Sequence, residues 1–199
     1  MLALVIIVRY VFLDRDGVLN RKMPEGDYVT GWAQFQWLPG AIEAIARMHR
    51  AGLTLILVTN QRGVALGRLS IEGLELIHRN LQADLARHGA RLDAVYYCPH
   101  DKNECRCRKP DTGLFEQALR DFPQMAAGNS LVIGDSISDI EAGRRLGMKT
   151  IFIQNEPERQ KPGAREAAAL ADASASSLLE AAELVLRSWH TGSSGSPDS

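Results

Sequence analysis

Residues 10–20 read YVFLDRDGVLN, and the change inside them, from β-forming Tyr10 to Leu13 into the acidic turn Asp14-Arg15-Asp16-Gly17, decides the fold. An apolar run that stops abruptly at a carboxylate marks a strand with polar chemistry at its carboxyl end. The same transition recurs along the chain. Leu53 to Val58 (LTLILV) ends at Thr59-Asn60, Ala94 to Tyr97 (AVYY) at a cysteine-rich loop, and Leu131 to Ile133 at Gly134-Asp135, while Thr150 to Ile153 (TIFI) closes the series. Continuous rather than alternating hydrophobicity belongs to strands covered on both faces, as in a parallel sheet.

Segments of helical period separate these runs. Gly40 to Ala51 places Ile42, Ile45, Ala46 and Met48 on one side. Ser70 to His88 opens on a serine N-cap and continues with Leu74, Ile77, Leu81 and Leu85. Thr112 to Asp121 and Asp139 to Leu146 predict shorter helices, the second closed by Gly147. Ser177 to Trp189 predicts the last. Strand and helix in alternation predict an α/β fold, a doubly wound (Rossmann-like) parallel sheet, whose ligands bind beyond the carboxyl ends of the strands. A single domain is expected over residues 1–190. No insertion between Asp14 and Thr59, or between Thr59 and Lys109, is large enough for a separate cap domain. The Gly/Ser/Pro-rich stretch 191–199 reads as a disordered tail.

With 199 residues, 45% hydrophobic and 24% charged, at a formal net charge of -1, the composition is that of a soluble globule. No broad positive field recommends nucleic acid or an anionic membrane as partner. The apolar run Met1 to Val8 is interrupted by Arg9 and falls short of the ~20 residues of a spanning helix. It also lacks the marks of a signal peptide, so it reads as a buried strand with some extension. A cytoplasmic monomer acting on a small phosphorylated metabolite is expected.

Asp14 and Asp16 stand two apart, so at a strand's end both side chains project from one face. Such a pair can hold a divalent cation and divide the chemistry, one acid attacking phosphorus while the other handles protons. Taken alone, the pair is also compatible with a solvated acidic turn. Asp135 brings another carboxylate to the same rim and completes an oxygen-rich Mg²⁺ site. Asp139, a helical turn later, can orient the metal or simply favour a helix N-terminus. Thr59 offers a hydroxyl for phosphoryl oxygens, and Lys109 a charge between nucleophile and phosphate.

The only three cysteines, Cys98, Cys105 and Cys107, crowd with His100 into residues 98–107. A disulfide framework would spread them and use an even count. Cys₃His is a tetrahedral zinc set with no open position, so a structural Zn²⁺ is expected, stapling a loop that aims Arg108 and Lys109.

In this order, acid pair, strand-end threonine, lysine and Gly-Asp-x3-Asp resemble the four motifs of the haloacid dehalogenase superfamily of phosphatases, from about Tyr10 to Ile153. The resemblance implies Asp14 as nucleophile, forming an aspartyl-phosphate, and Asp16 as general acid/base. It implies phosphate contacts from Thr59 and Lys109, and Mg²⁺ on Asp14, the Asp16 carbonyl and Asp135. The phrase CPHDKNECRCRKP resembles the zinc loop of the heptose 1,7-bisphosphate 7-phosphatases, a branch shared with histidinol-phosphate phosphatases. The branch implies substrate contacts from Asn60, Gln61, Arg62, Arg108 and Lys109. It usually reads TNQSG-x-ARG where this chain carries Arg62 and Leu66.

The function so implied is Mg²⁺-dependent removal of the 7-phosphate from D-glycero-D-manno-heptose 1,7-bisphosphate. Histidinol phosphate and other small sugar phosphates are the alternatives. A phospho-accepting receiver module also gathers acids, Thr and Lys around Mg²⁺, but its acceptor is not paired as Asp-x-Asp on the first strand and it has no zinc loop. Tyr28, Trp32, Phe35 and Trp37 on the stretch 20–37 stand either to cover an open site or to pack on the domain.

Overall fold

A computed structural model describes residues 8–155 and 160–190, with side chains up to 187. Most of the N-terminal run and all of the 191–199 tail lie outside the described residues. Six strands form one sheet: β1 (Tyr10–Leu13), β2 (Thr54–Asn60), β3 (Ala94–Cys98), β4 (Ser130–Gly134), β5 (Lys149–Ile153) and β6 (Ala173–Ala175). Their order is β3-β2-β1-β4-β5-β6 and every pairing is parallel. The helices are α1 (Ala41–Arg50), α2 (Ile71–Arg87), α3 (Gly113–Asp121), α4 (Ile137–Arg145), α5 (Ala164–Leu170) and α6 (Leu178–His190).

The continuous apolar runs are explained by what covers them. Val11, Leu13, Leu55, Leu57, Leu131 and Ile133 face one buried cluster with residues of α1, α2 and α6. Their sequence neighbours Phe12, Ile56, Val58 and Val132 face another, with Leu114, Phe115 and Ala118 of α3 and Ala142 of α4. Period-two alternation is thus present, but both of its faces are apolar. The Ser70 hydroxyl accepts from Gly73 N at 3.0 Å and starts α2, as the serine N-cap predicts.

Strand α/β order places the site. From β1 the chain winds outward through β2 and β3, then crosses to the other side of β1 for β4, β5 and β6. That reversal is the topological switch point, where neighbouring loops part and leave a crevice. Leu13 lies beside both Leu57 and Ile133, and Asp14 N donates to Ile133 O at 3.0 Å. Asp14 therefore emerges at the centre of the rim.

Strand β6 and helix α5 have no counterpart in the sequence reading. Each is short, and α5 is mostly alanine, so neither carries a periodic signal. Helix α4 starts at Ile137, two residues before the predicted start. Trp32 stacks on Phe35 at 4.8 Å, and Trp37 meets Phe35 edge-on while donating Nε1 to Asp84 of α2 at 3.0 Å. These three rings pack on the domain, and only Tyr28 of the four reaches the crevice. Among the described residues no helix is long and apolar enough to cross a membrane.

Candidate active site

A cavity of about 400 Å³ opens over the carboxyl ends of the central strands, lined by Asp14, Asp16, Thr59, Arg108, Lys109 and Lys161 among others. Asp14 is 6% exposed. Its Oδ1 accepts from Arg15 N at 2.8 Å and pairs with Lys109 Nζ at 3.0 Å. Burial alone would raise its pKa, but Lys109 and Lys161 overcome that and hold it at about 2. The carboxylate is therefore ionised at neutral pH.

Asp16 leaves the strand one pleat later and turns to a different set of partners. Arg15 Nη2 donates to both of its oxygens at 3.1 and 2.9 Å, Asn20 Nδ2 to Oδ1 at 2.9 Å and Gln61 Nε2 to Oδ2 at 3.0 Å. Against burial, Arg15 and Asn20 keep its pKa below the ordinary value. Arg15 is itself buried, and its Nη1 lies 3.4 Å from His78 Nε2. Gly17 then reverses the chain at φ +95°, where a Cβ would stand 2.2 Å from Asp135 Oδ2. Only glycine lets the backbone pass that close to the third carboxylate.

Carboxylate oxygens of Asp14, Asp135 and Asp139 lie within 4.8 Å of one another, a hard-oxygen set suited to a divalent cation. Asp135 is fully buried, and burial pushes its pKa up to about 6 despite Lys161. Its Oδ1 is 2.6 Å from Lys161 Nζ, which stands 3.7 Å from Asp14 Oδ2, so a cation already sits between the two acids. The donor set thus fits a magnesium ion. Asp139 turns elsewhere: its Oδ2 accepts from Ser136 N at 3.1 Å, starting α4, and its Oδ1 pairs with Lys109 Nζ at 2.6 Å.

Lys109 is only 4% exposed, and its ammonium is enclosed by Asp14, Asp139 and the Val58 carbonyl at 2.6 Å. Burial would lower its pKa, but the two carboxylates raise it. The Thr59 hydroxyl accepts from Gln61 Nε2 at 2.8 Å. Asn60 lines the cavity but spends its amide on the backbone of Lys109. Arg108 lines the same cavity with its buried Nη1 unpartnered, which is where an anion would be welcome.

Arg62 does not join them. Its Nε and Nη2 close on the Asp101 carboxylate of the cysteine loop, the second contact at 3.2 Å. The sequence nominated it as a substrate contact, but its guanidinium is occupied between two loops. Lys161 was missed. It follows β5, and the rule that strand-end loops form the rim, applied to TIFI, would have nominated the segment beyond it.

The cysteine loop gathers as its spacing predicts. Cys107 Sγ lies 3.2 Å from both Cys98 and Cys105, Cys98 lies 3.5 Å from Cys105, and His100 Nδ1 is 3.3 Å from Cys107. A tetrahedral zinc with these ligands has edges of about 3.5 to 3.8 Å. The four atoms are gathered at that spacing or a few tenths of an ångström inside it, and all three cysteines are free thiols.

The HAD-hydrolase-like family model matches residues 106–181. The D-glycero-alpha-D-manno-heptose-1,7-bisphosphate 7-phosphatase of Mycobacterium bovis is 40% identical over 88% of this chain and 90% of its own length. The D-glycero-beta-D-manno-heptose-1,7-bisphosphate 7-phosphatase of Vibrio cholerae is 36% identical over 89% of this chain and 96% of its own. The D,D-heptose 1,7-bisphosphate phosphatase of B. bronchiseptica, crystallised with magnesium and phosphate, has a TM-score of 0.78 at 30% identity, covering 90% of this chain and 99% of that one.

Proposed function

The chain belongs to the haloacid dehalogenase-like phosphatases, and from that premise we propose that it removes the 7-phosphate of a D-glycero-D-manno-heptose 1,7-bisphosphate, with Asp14 as nucleophile. The observation that carries the residue roles is the contrast between its first two acids. Asp14 is ionised between two lysines, while Asp16 is turned to neutral and guanidinium donors beside it. One is prepared to attack, the other to exchange a proton.

Asp14 attacks phosphorus, and the bond to the sugar oxygen breaks. Asp16, carrying the proton, delivers it to that oxygen as the alcohol leaves. The arriving phosphate favours the protonated acid, while Arg15 stabilises the carboxylate left behind. In the second half, Asp16 takes a proton from water as the water attacks phosphorus, which releases phosphate and restores Asp14. Lys109 holds Asp14 in place and offsets charge, and Thr59 and Arg108 face the phosphoryl oxygens. Asp14, Asp135 and the Asp16 carbonyl would hold Mg²⁺, which would supply further neutralisation of the phosphoryl charge.

A structural Zn²⁺ on Cys98, His100, Cys105 and Cys107 belongs to the same reading, supported by the spacing of the four ligand atoms. So does one phosphatase domain over 1–190 without a separate cap, supported by the shared sheet. A cytoplasmic setting is favoured by cysteines gathered as free thiols rather than paired.

The test is phosphate release from both anomers of the heptose bisphosphate, histidinol phosphate and common hexose phosphates. One heptose anomer should give a kcat/KM at least about 10-fold above every other substrate, the scale of one lost polar contact. Preference for histidinol phosphate would move the substrate assignment. Turnover surviving in Asp14→Asn would overturn the nucleophile.

A further inference from the structure

Four lysines line the crevice, and two of them, Lys109 and Lys161, meet its carboxylates in different ways. Lys109 is enclosed: its ammonium donates to Val58 O at 2.6 Å and is paired with Asp14 Oδ1 and Asp139 Oδ1 at 3.0 and 2.6 Å. It gives an incoming phosphoryl oxygen charge from a place already surrounded by these three oxygens. Among the described residues Lys161 has a single acceptor within 3 Å, Asp135 Oδ1, and its side chain is 28% exposed toward the cavity.

The segment bearing Lys161 is docked on the same carboxylate. Asn155 Nδ2 donates to Asp135 Oδ2 and to Gly17 O, both at 3.1 Å, and Gln160 Nε2 donates to Asp135 O at 3.2 Å. Asn155 N in turn donates to Gln160 Oε1 at 2.7 Å. The ammonium thus arrives by construction at the place where Asp14 and Asp135 would share a metal.

Charge makes the arrangement consequential. Asp14, Asp135 and Asp139 carry three negative charges against the paired ammoniums of Lys109 and Lys161, Lys22 adds a positive charge felt by Asp14 and Asp135, and Asp16 is matched by Arg15. A divalent cation makes the group net positive, which attracts a phosphoryl anion. Without Lys161 the loaded group would lose one of its positive charges.

Building on the phosphatase reading, we infer that Lys161 is a further catalytic residue, an ammonium that holds the cation place between Asp14 and Asp135 until metal enters and then turns to a phosphoryl oxygen. Its charge competes with the metal in the empty site and assists the phosphate in the loaded one. The two effects have opposite signs, which a merely structural lysine would not produce.

The experiment titrates Mg²⁺ calorimetrically into metal-free wild type, Lys161→Met and Lys161→Gln, then inorganic phosphate into each at saturating Mg²⁺. Both variants should bind Mg²⁺ at least about 3-fold more tightly, having lost a competing charge. Both should bind phosphate about 10-fold or more weakly and lose kcat by a similar factor, the cost of a charge-assisted hydrogen bond. Mg²⁺ affinity unchanged or weakened would overturn the competition. Phosphate affinity and kcat unchanged would overturn the contact. Because the probes are the metal and inorganic phosphate, a wrong sugar assignment leaves these outcomes readable, while a wrong nucleophile is exposed separately by Asp14→Asn.

Discussion

Asn60 grips the backbone of Lys109 with both ends of its side-chain amide, its Oδ1 accepting from Lys109 N and its Nδ2 donating to Lys109 O, each at 3.0 Å. The loop after β2 thereby fixes the main chain from which the buried lysine reaches Asp14. Asn60→Ala removes both bonds. Stability should fall by about 1–3 kcal/mol, read by urea unfolding. Turnover should fall about 10- to 100-fold, because a lysine displaced by an ångström no longer holds Asp14. Unchanged kcat would mean that Lys109 is positioned by its ion pairs alone.

Arg62 and Asp101 tie the loop after β2 to the cysteine loop, both about one-third exposed. A pair so placed adds little to global stability, about 0–1 kcal/mol. Arg62→Ser, the residue usual in the related pattern, should leave the melting curve nearly in place. It should raise KM about 3- to 10-fold with kcat little changed, because the loop carrying Arg108 is less well aimed. The double variant with Asp101→Asn should be no worse than the worse single one, the signature of one shared contact. A kcat defect with normal KM would contradict this assignment.

Purified protein should contain about one zinc per chain by atomic emission. Cys107→Ala should lose it and expose residues 98–107 to proteolysis, with phosphatase activity reduced through Arg108 and Lys109. Metal-free wild type of full activity would remove the zinc from the account.

His78 links pH to stability. Burial, and then Arg15, depress its pKa to about 3, against 6.5 for an ordinary histidine. Between those values the unfolded chain binds a proton that the folded chain refuses, so stability falls as pH drops from 6.5 toward 3. The gap corresponds to a few kcal/mol. His78→Gln keeps an acceptor for Arg15 and should flatten the urea-unfolding profile over this range. Parallel profiles in the two proteins would assign the acid sensitivity elsewhere.

Gly17→Ala combines a disfavoured φ of +95° with a Cβ set against Asp135. It should cost at least about 1–3 kcal/mol of stability. It should also weaken Mg²⁺ binding in calorimetry, since Asp135 must move to make room.

The sequence by itself determined five of the six strands, the helices between them and the residues at the strand ends. Those features are local: an apolar run, a helical period or three cysteines and a histidine packed into ten positions can be read without knowing what lies opposite. Asp14, Thr59, Lys109 and Asp135 were legible because each follows its own strand, or a loop with its own chemistry, in a known order. Only the tertiary structure decided what those residues touch. Asn60 finds Lys109 across 49 positions, Arg15 finds His78 across 63, and Asn155 finds Gly17 across 138. Nothing in the intervening sequence encodes such a pairing, because it follows from strand order in the sheet. Arg62 and Lys161 show both consequences. One basic residue beside a motif was drawn away to Asp101, and another, remote from every motif, was delivered to the carboxylates by the segment after β5.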